Sequence, residues 1–236
     1  MSTPGYMAII LLLAGVTGCA ALKPATGTGH DGTAAAVAAL PAGTGWWYAR
    51  FTIAEPDTES PRWHIDSLLG GEVIAPMFDR NYEDILIWRV HRRAADDAYG
   101  HLFSFIFYST AAGAQRIYAD LEHNAVLRRL RQDGIVTAVA YDDLTRITRP
   151  GIEDTSDAAW SLPVQQTWPA FAMGASRMWL DMVGVIADGH ADEPDLEQRY
   201  LAVQREIDEV WARQGQHAML HHLSALFAYQ PLLITY

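Results

Sequence analysis

Residues 101–109 read HLFSFIFYS, and the segment is apolar on both of its alternating faces: Phe103, Phe105 and Phe107 point one way, Leu102, Ile106 and Tyr108 the other. A strand of this kind has to be covered on both sides, so its place is the centre of a sheet. The run before it, ILIWRVHRR (85–93), carries Arg89, His91, Arg92 and Arg93. Charges of that density suit an edge strand, where they discourage pairing with another chain. AADDAYG (94–100) joins the two, with an Asp pair and a Gly that fit a hairpin loop.

Other elements fall in around this hairpin. WWYARFTI (46–53) is aromatic and β-branched and reads as a first strand. Pro61 introduces Trp63–Leu69, which Gly70-Gly71 interrupts before VIAPMF, so this connection is expected to be a short or broken helix. Ala111–Asp133 reads as one long helix with Ala114, Ile117, Tyr118, Leu121 and Ala125 on one face, although Val126, Leu127 and Leu130 swing toward another; Gly134 ends it. IVTAVAY (135–141) supplies a fourth strand. The order β, α, β, β, α, β predicts an α+β fold with the ferredoxin-like split βαβ sheet, first and third strands central, second and fourth at the edges.

Two connecting helices can cover only one face of such a sheet. The other is expected to be covered by residues 157–230, which follow the Pro150-Gly151 break and read as helical, Pro163 and Pro169 delaying or kinking the first segment. Ala170, Ala172, Gly174 and Ala175 permit close helix approach. Asp192 is a candidate cap for the next helix, whose stripe runs through Leu196, Tyr200, Val203, Ile207, Val210 and Trp211. Gly215 separates a last helix carrying Leu220, Leu223, Leu226 and Phe227. The expected body is a single domain, 46–236, with a sheet part at 46–149 and a C-terminal helical layer at 157–230.

The N-terminus carries a different kind of information. Met7–Val16 is a run of ten apolar residues, too short for the roughly 20 needed to cross a bilayer but suited to the apolar region of a signal peptide. It leads into Val16-Thr17-Gly18-Cys19, which resembles the lipobox of bacterial lipoproteins. Residues 1–6 carry no Lys or Arg, so the positive charge such signals bear rests here on the amino terminus. The resemblance implies a signal peptide at 1–18, cleavage before Cys19 and acylation of that thiol with palmitate-type chains. Ala20 in the following position implies sorting to the periplasmic face of the outer membrane rather than retention at the inner one.

Cys19 is the only cysteine, which excludes a disulfide framework and leaves no stray thiol in an oxidising compartment. Residues 20–45, mostly Ala, Gly, Thr and Pro, read as a flexible tether of roughly 28 Å root-mean-square reach. Gly27-Thr28-Gly29-His30-Asp31-Gly32 matches GxGxxG, but neither a strand before it nor an amphipathic helix after it supports a nucleotide loop.

Candidate chemistry is sparse. A formal net charge of -11 opposes nucleic-acid binding, and LRRLR (127–131) reads as a solvated helix rim. No GxSxG, HExxH or P-loop occurs, and nothing calls for a cofactor. Arg89, His91 and Arg93 alternate onto one face of their strand and, with Phe103 and Phe105 opposite, form a candidate groove for an acidic amphipathic ligand; edge protection and pairing with Glu83, Asp96 and Asp97 is the simpler account. His217 and His221, one helical turn apart, form a candidate metal pair needing a further ligand, and His64 with Asp66 forms a weaker one. Most of the eight tryptophans sit where periodicity already asks for core. These features point to a lipid-anchored periplasmic module without catalysis, binding an envelope protein or apolar ligand in assembly or trafficking. The alternatives are a metal-dependent hydrolase drawing on His64, His91, His101, His217 and His221, and a carrier of an apolar or lipid ligand.

Overall fold

The computed structural model describes residues 41–55, 61–93 and 100–230. The expected signal peptide, Cys19, the tether up to residue 40 and hairpin residues 94–99 lie outside the described residues.

Four strands, β1 (Thr44–Ile53), β2 (Ile87–Arg93), β3 (Leu102–Thr110) and β4 (Val136–Tyr141), form one sheet in the order β2-β3-β1-β4 with every neighbour antiparallel. The doubly apolar segment is therefore internal, paired with β1 from Thr44↔Thr110 to Thr52↔Leu102, and the arginine-rich segment is an edge. With several helices packed on it, this sheet makes the fold α+β.

Between β1 and β2 run α1 (Trp63–Leu69), a π-helical turn (Gly70–Ile74) and α2 (Ala75–Asn81), in direct succession. Gly70-Gly71 does not break the helix, contrary to the sequence expectation. A Cβ on Gly70 would lie 2.9 Å from the Trp179 ring, and one on Gly71 would lie 2.2 Å from the Tyr200 hydroxyl. The glycines serve close approach, and the wider π turn absorbs the distortion. The predicted 111–133 helix is instead two, α3 (Ala111–His123) and α4 (Ala125–Gln132), divided at Asn124. Its extended backbone ends α3, its Oδ1 accepts from the Leu127 N–H at 2.9 Å to cap α4, and its Nδ2 donates to the Glu72 carbonyl at 2.9 Å. The change of face at Val126, Leu127 and Leu130 follows from that corner.

The C-terminal elements are α5 (Leu162–Gly189), α6 (Leu196–Val210), a π-helical turn (Trp211–Gly215) and α7 (Gln216–Leu226). Pro163 sits in the first turn of α5, and Pro169 lies inside it without ending it. Asp195, not Asp192, caps α6, accepting from the Gln198 N–H at 3.0 Å.

These helices do not take the vacant face of the sheet. Leu180, Val183 and Ile186 of α5 and Tyr200, Val203 and Ile207 of α6 join the same core as Phe51, Phe103, Phe105, Leu68 and Leu121. The helical layer grows sideways past the edge strand, where the free Val90 N–H donates to Ser176 Oγ on α5 at 3.1 Å. Covering that edge satisfies a backbone group that would otherwise seek another strand. The opposite face is closed at one end by the segment after β4: Trp46 Nε1 donates to the Gly151 and Ile152 carbonyls, the Tyr108 hydroxyl donates to the Pro150 carbonyl, and Trp46, Ile106 and Tyr108 make a small second core.

Among the described residues α5 is the one helix long and apolar enough to cross a membrane. One stripe of it (Ala172, Ser176, Leu180, Val183, Ala187) is buried on the body. A second stripe, Val164, Phe171, Met178 and Val185 at intervals of seven residues, is exposed.

Candidate binding groove and the polar network beside it

Arg92 is the residue from which the site is built. Alternation along β2 turns Arg89, His91 and Arg93 to the helix-free face and Arg92, paired with Phe103, to the helical one. Its Nε donates to Asp66 Oδ2 at 2.7 Å, and its Nη2 donates to the Trp63 carbonyl at 3.0 Å and to Gln204 Oε1 at 3.2 Å. The guanidinium lies 5.0 Å from the ring centre of Trp63 and 5.3 Å from that of Trp179, within the range of a cation–π contact.

Behind Arg92 the polar chain continues inward. Asp66 Oδ1 meets His101 Nε2 at 2.9 Å, and His101 Nδ1 meets the Glu55 carboxylate. The side chains of Asp66 and His101 are fully buried. Burial of the imidazole disfavours its cation, but the hydrogen bonds and charges of Asp66 and Glu55 outweigh burial and hold the His101 pKa above the usual value. With both ring nitrogens facing carboxylates, the arrangement favours the imidazolium form of His101. Glu55 and Asp66 bond His101, and Asp66 also bonds Arg92. Ser67 Oγ donates to Gln204 Oε1 at 2.7 Å, so among the described residues of this cluster the hydroxyl is bonded to an amide and not to an imidazole base.

His64, on the same helix, behaves in the opposite way. Its burial lowers the pKa and outweighs the pull of Glu197, whose Oε1 lies 3.4 Å from Nε2. Glu197 is also held by Arg62 Nη2 at 2.7 Å.

In front of Arg92 lies a groove of about 870 Å³ between α5 and the π turn with α7. Its walls come from two helix faces of four-residue spacing: Ala170, Gly174, Met178 and Met182 on α5, and Ala218, His222 and Leu226 on α7. The small residues of α5 create the space, and the methionines give it an adaptable lining. Polar contributions come from Arg92, Asp208 and His222. α7 buries none of its residues, and Trp211 in the turn before it is 43% exposed. A volume in the range of about 300–1,000 Å³ with mainly apolar walls and few polar groups is that of a small-molecule site.

The residues singled out in the sequence are distributed elsewhere. Phe103 and Phe105 are completely buried in the core, on the face opposite Arg89, His91 and Arg93, whose cross-strand partners are Ile106, Ser104 and Leu102. The two sets cannot line one groove, because paired strands share their alternation. Arg89 donates from Nη2 to the Thr155 carbonyl at 3.0 Å, and burial lowers its pKa. The rings of His217 and His221 stack with centroids 5.3 Å apart on the exposed α7. Among the described residues no group of three or more His, Cys, Asp or Glu is placed to hold a metal ion. Cys19 lies outside the described residues. His64 and Asp66 take separate partners, Glu197 and His101. Arg92 carries a signal in the sequence that the groove expectation does not use: it is the one basic residue of the strand out of phase with Arg89, His91 and Arg93.

Comparison with protein-family models, curated proteins and solved structures finds no match for this chain.

Proposed function

We propose that this chain is a lipid-anchored envelope protein whose body is a non-catalytic binding module, holding an apolar ligand in the groove between α5 and α7. The observation that carries the reading is the contrast at Arg92: the groove is lined mainly by apolar side chains, while Asp66, His101 and Ser67 beside it are buried and bonded to charged or amide partners. A ligand in the groove would bury apolar surface at roughly 25 cal/mol per Å² without needing any group to react.

The body is read as a ferredoxin-like split βαβ sheet with a C-terminal helical layer, a reading supported by the element order and by β1 and β3 as inner strands. The lipobox-like Val16-Thr17-Gly18-Cys19 supports anchoring through an acylated Cys19, and Ala20 supports the periplasmic face of the outer membrane. Stable anchoring of this kind requires more than one acyl chain.

Two measurements test the proposal. Radioactive palmitate should label the chain, and Cys19→Ser should abolish the label; an unlabelled chain that retains its first methionine would end the anchoring reading. The mature chain expressed from residue 19 with Cys19→Ser should bind the neutral dye Nile red with increased emission, and Ala175→Trp, which fills the groove from an exposed position, should remove that signal. Stoichiometric zinc in the purified protein, lost with His217→Ala, would favour the metal-dependent alternative instead.

A further inference from the structure

Resting on the binding reading of the groove, we infer that its ligand is a single long acyl chain whose first polar group is an uncharged ester carbonyl, as in a monoacylglycerol, and that this carbonyl is received at the Arg92–Trp179 end.

Three observations converge on that chemistry. The first is length. The α5 wall from Ala170 to Met182 spans about 18 Å at 1.5 Å per residue. One acyl chain fills half of the roughly 30 Å hydrocarbon core of a bilayer, about 15 Å. A linear chain therefore matches the apolar wall from end to end.

The second is the kind of hydrogen bond left unmade. Arg92 uses Nε and Nη2 on Asp66, Trp63 and Gln204, and Nη1 has no hydrogen-bond partner among the described residues. Trp179, whose ring contacts the same guanidinium, has its Nε1 buried without a partner. A buried N–H left unpaired costs about 1–3 kcal/mol, so it marks a place where something with a lone pair belongs. Both groups are donors. The ligand must bring an acceptor.

The third is charge, which decides among acceptors. A carboxylate or phosphate would be the obvious partner for a free arginine, but Arg92 is already paired with Asp66, and Asp66 and Glu55 both bond His101. Asp208 adds a further acid to the lining, on a chain of net charge -11. An anionic head would meet an arginine already paired with Asp66 and a further acid, Asp208, in the same lining. An ester carbonyl accepts the same hydrogen bonds without that repulsion.

The test is displacement of Nile red from the mature chain (residues 19–236, Cys19→Ser) by 1-monopalmitoylglycerol, by palmitate and by lysophosphatidylcholine. Monopalmitoylglycerol should displace the dye at a concentration at least tenfold below palmitate. Lysophosphatidylcholine, an ester with a zwitterionic head, should fall between them. Trp179→Phe keeps an aromatic side chain but removes the indole N–H together with part of the ring packed on Gly70, and should weaken monopalmitoylglycerol five- to tenfold relative to palmitate. Arg92→Lys, which keeps the charge and removes the fork, should act in the same direction, with circular dichroism confirming the fold of both variants. Palmitate displacing as well as or better than the ester, displacement by none of the three, or an ester affinity unchanged in Trp179→Phe would each overturn the acyl-ester assignment and leave the groove in place. Nile red binding that survives Ala175→Trp would overturn the groove reading itself.

Discussion

The network around His101 and the groove beside it share Arg92 and differ in most other respects that bear on function. In the network each charge has an opposite charge, the side chains of Asp66 and His101 are fully buried, and its bonds tie α1, β2, β3 and α6 together. In the groove the walls are apolar, one of them is a helix that buries no residue, and hydrogen-bond donors are left over. Clusters of acids, bases and perturbed histidines invite catalytic readings, yet here the most buried members, Asp66 and His101, are bonded to charged partners and the space beside them is mainly apolar. The titratable groups around His101 act as a brace, and the groove beside them is lined mainly by apolar side chains.

Removing one partner from the brace should have the largest effect. Asp66→Ala leaves Arg92 and His101 without their shared counter-ion and should lower the unfolding free energy by about 3–5 kcal/mol in urea titrations. A loss below about 1 kcal/mol would mean that the network is ornament, and the contrast with the groove would fail.

A smaller effect is expected from pH, with opposite signs at the two histidines. The folded-state pKa of His101 is raised above its ordinary value of about 6.5. Its contribution is complete below that value and is lost as pH rises through the folded pKa. His64, whose folded-state pKa is lowered, contributes fully above about 6.5, and its share is lost as pH falls through its folded value. Urea midpoints measured from pH 5 to 9 should therefore decline on the alkaline side in a way that His101→Gln flattens, and on the acid side in a way that His64→Gln flattens. Equal slopes in the parent and both variants would break the assignment.

The smallest change in stability belongs to the groove wall. Leu226, 69% exposed on α7, should tolerate Ala within about 0.5 kcal/mol, while Nile red binding weakens several-fold. Destabilisation comparable with Asp66→Ala would show that α7 belongs to the core after all.

How far the sequence could be read follows from the same physics. β3 declared its internal position because a segment apolar on both alternating faces has nowhere else to go, and the charges of β2 declared an edge. The change of apolar face after Leu121 is a trace of the corner at Asn124, although the segment reads as one helix from Ala111 to Asp133. Four things were out of reach. Periodicity reports that a helix has an apolar stripe but not which side of a sheet receives it, so α5 and α6 were assigned to the vacant face when they extend the occupied one. Gly70-Gly71 looks like a break from local propensity, and only the positions of Trp179 and Tyr200, more than a hundred residues away, reveal close packing. The His101–Asp66 contact joins residues 35 apart with no motif between them, and the groove is a space whose outline no single segment carries.

Gly70 and Gly71 carry one more implication. The notch they provide is filled by the Trp179 ring and the Tyr200 hydroxyl, so a chain shortened to its first 156 residues would expose a bare recess and an unprotected strand margin along β2. Such a fragment should clump with its own copies or be digested.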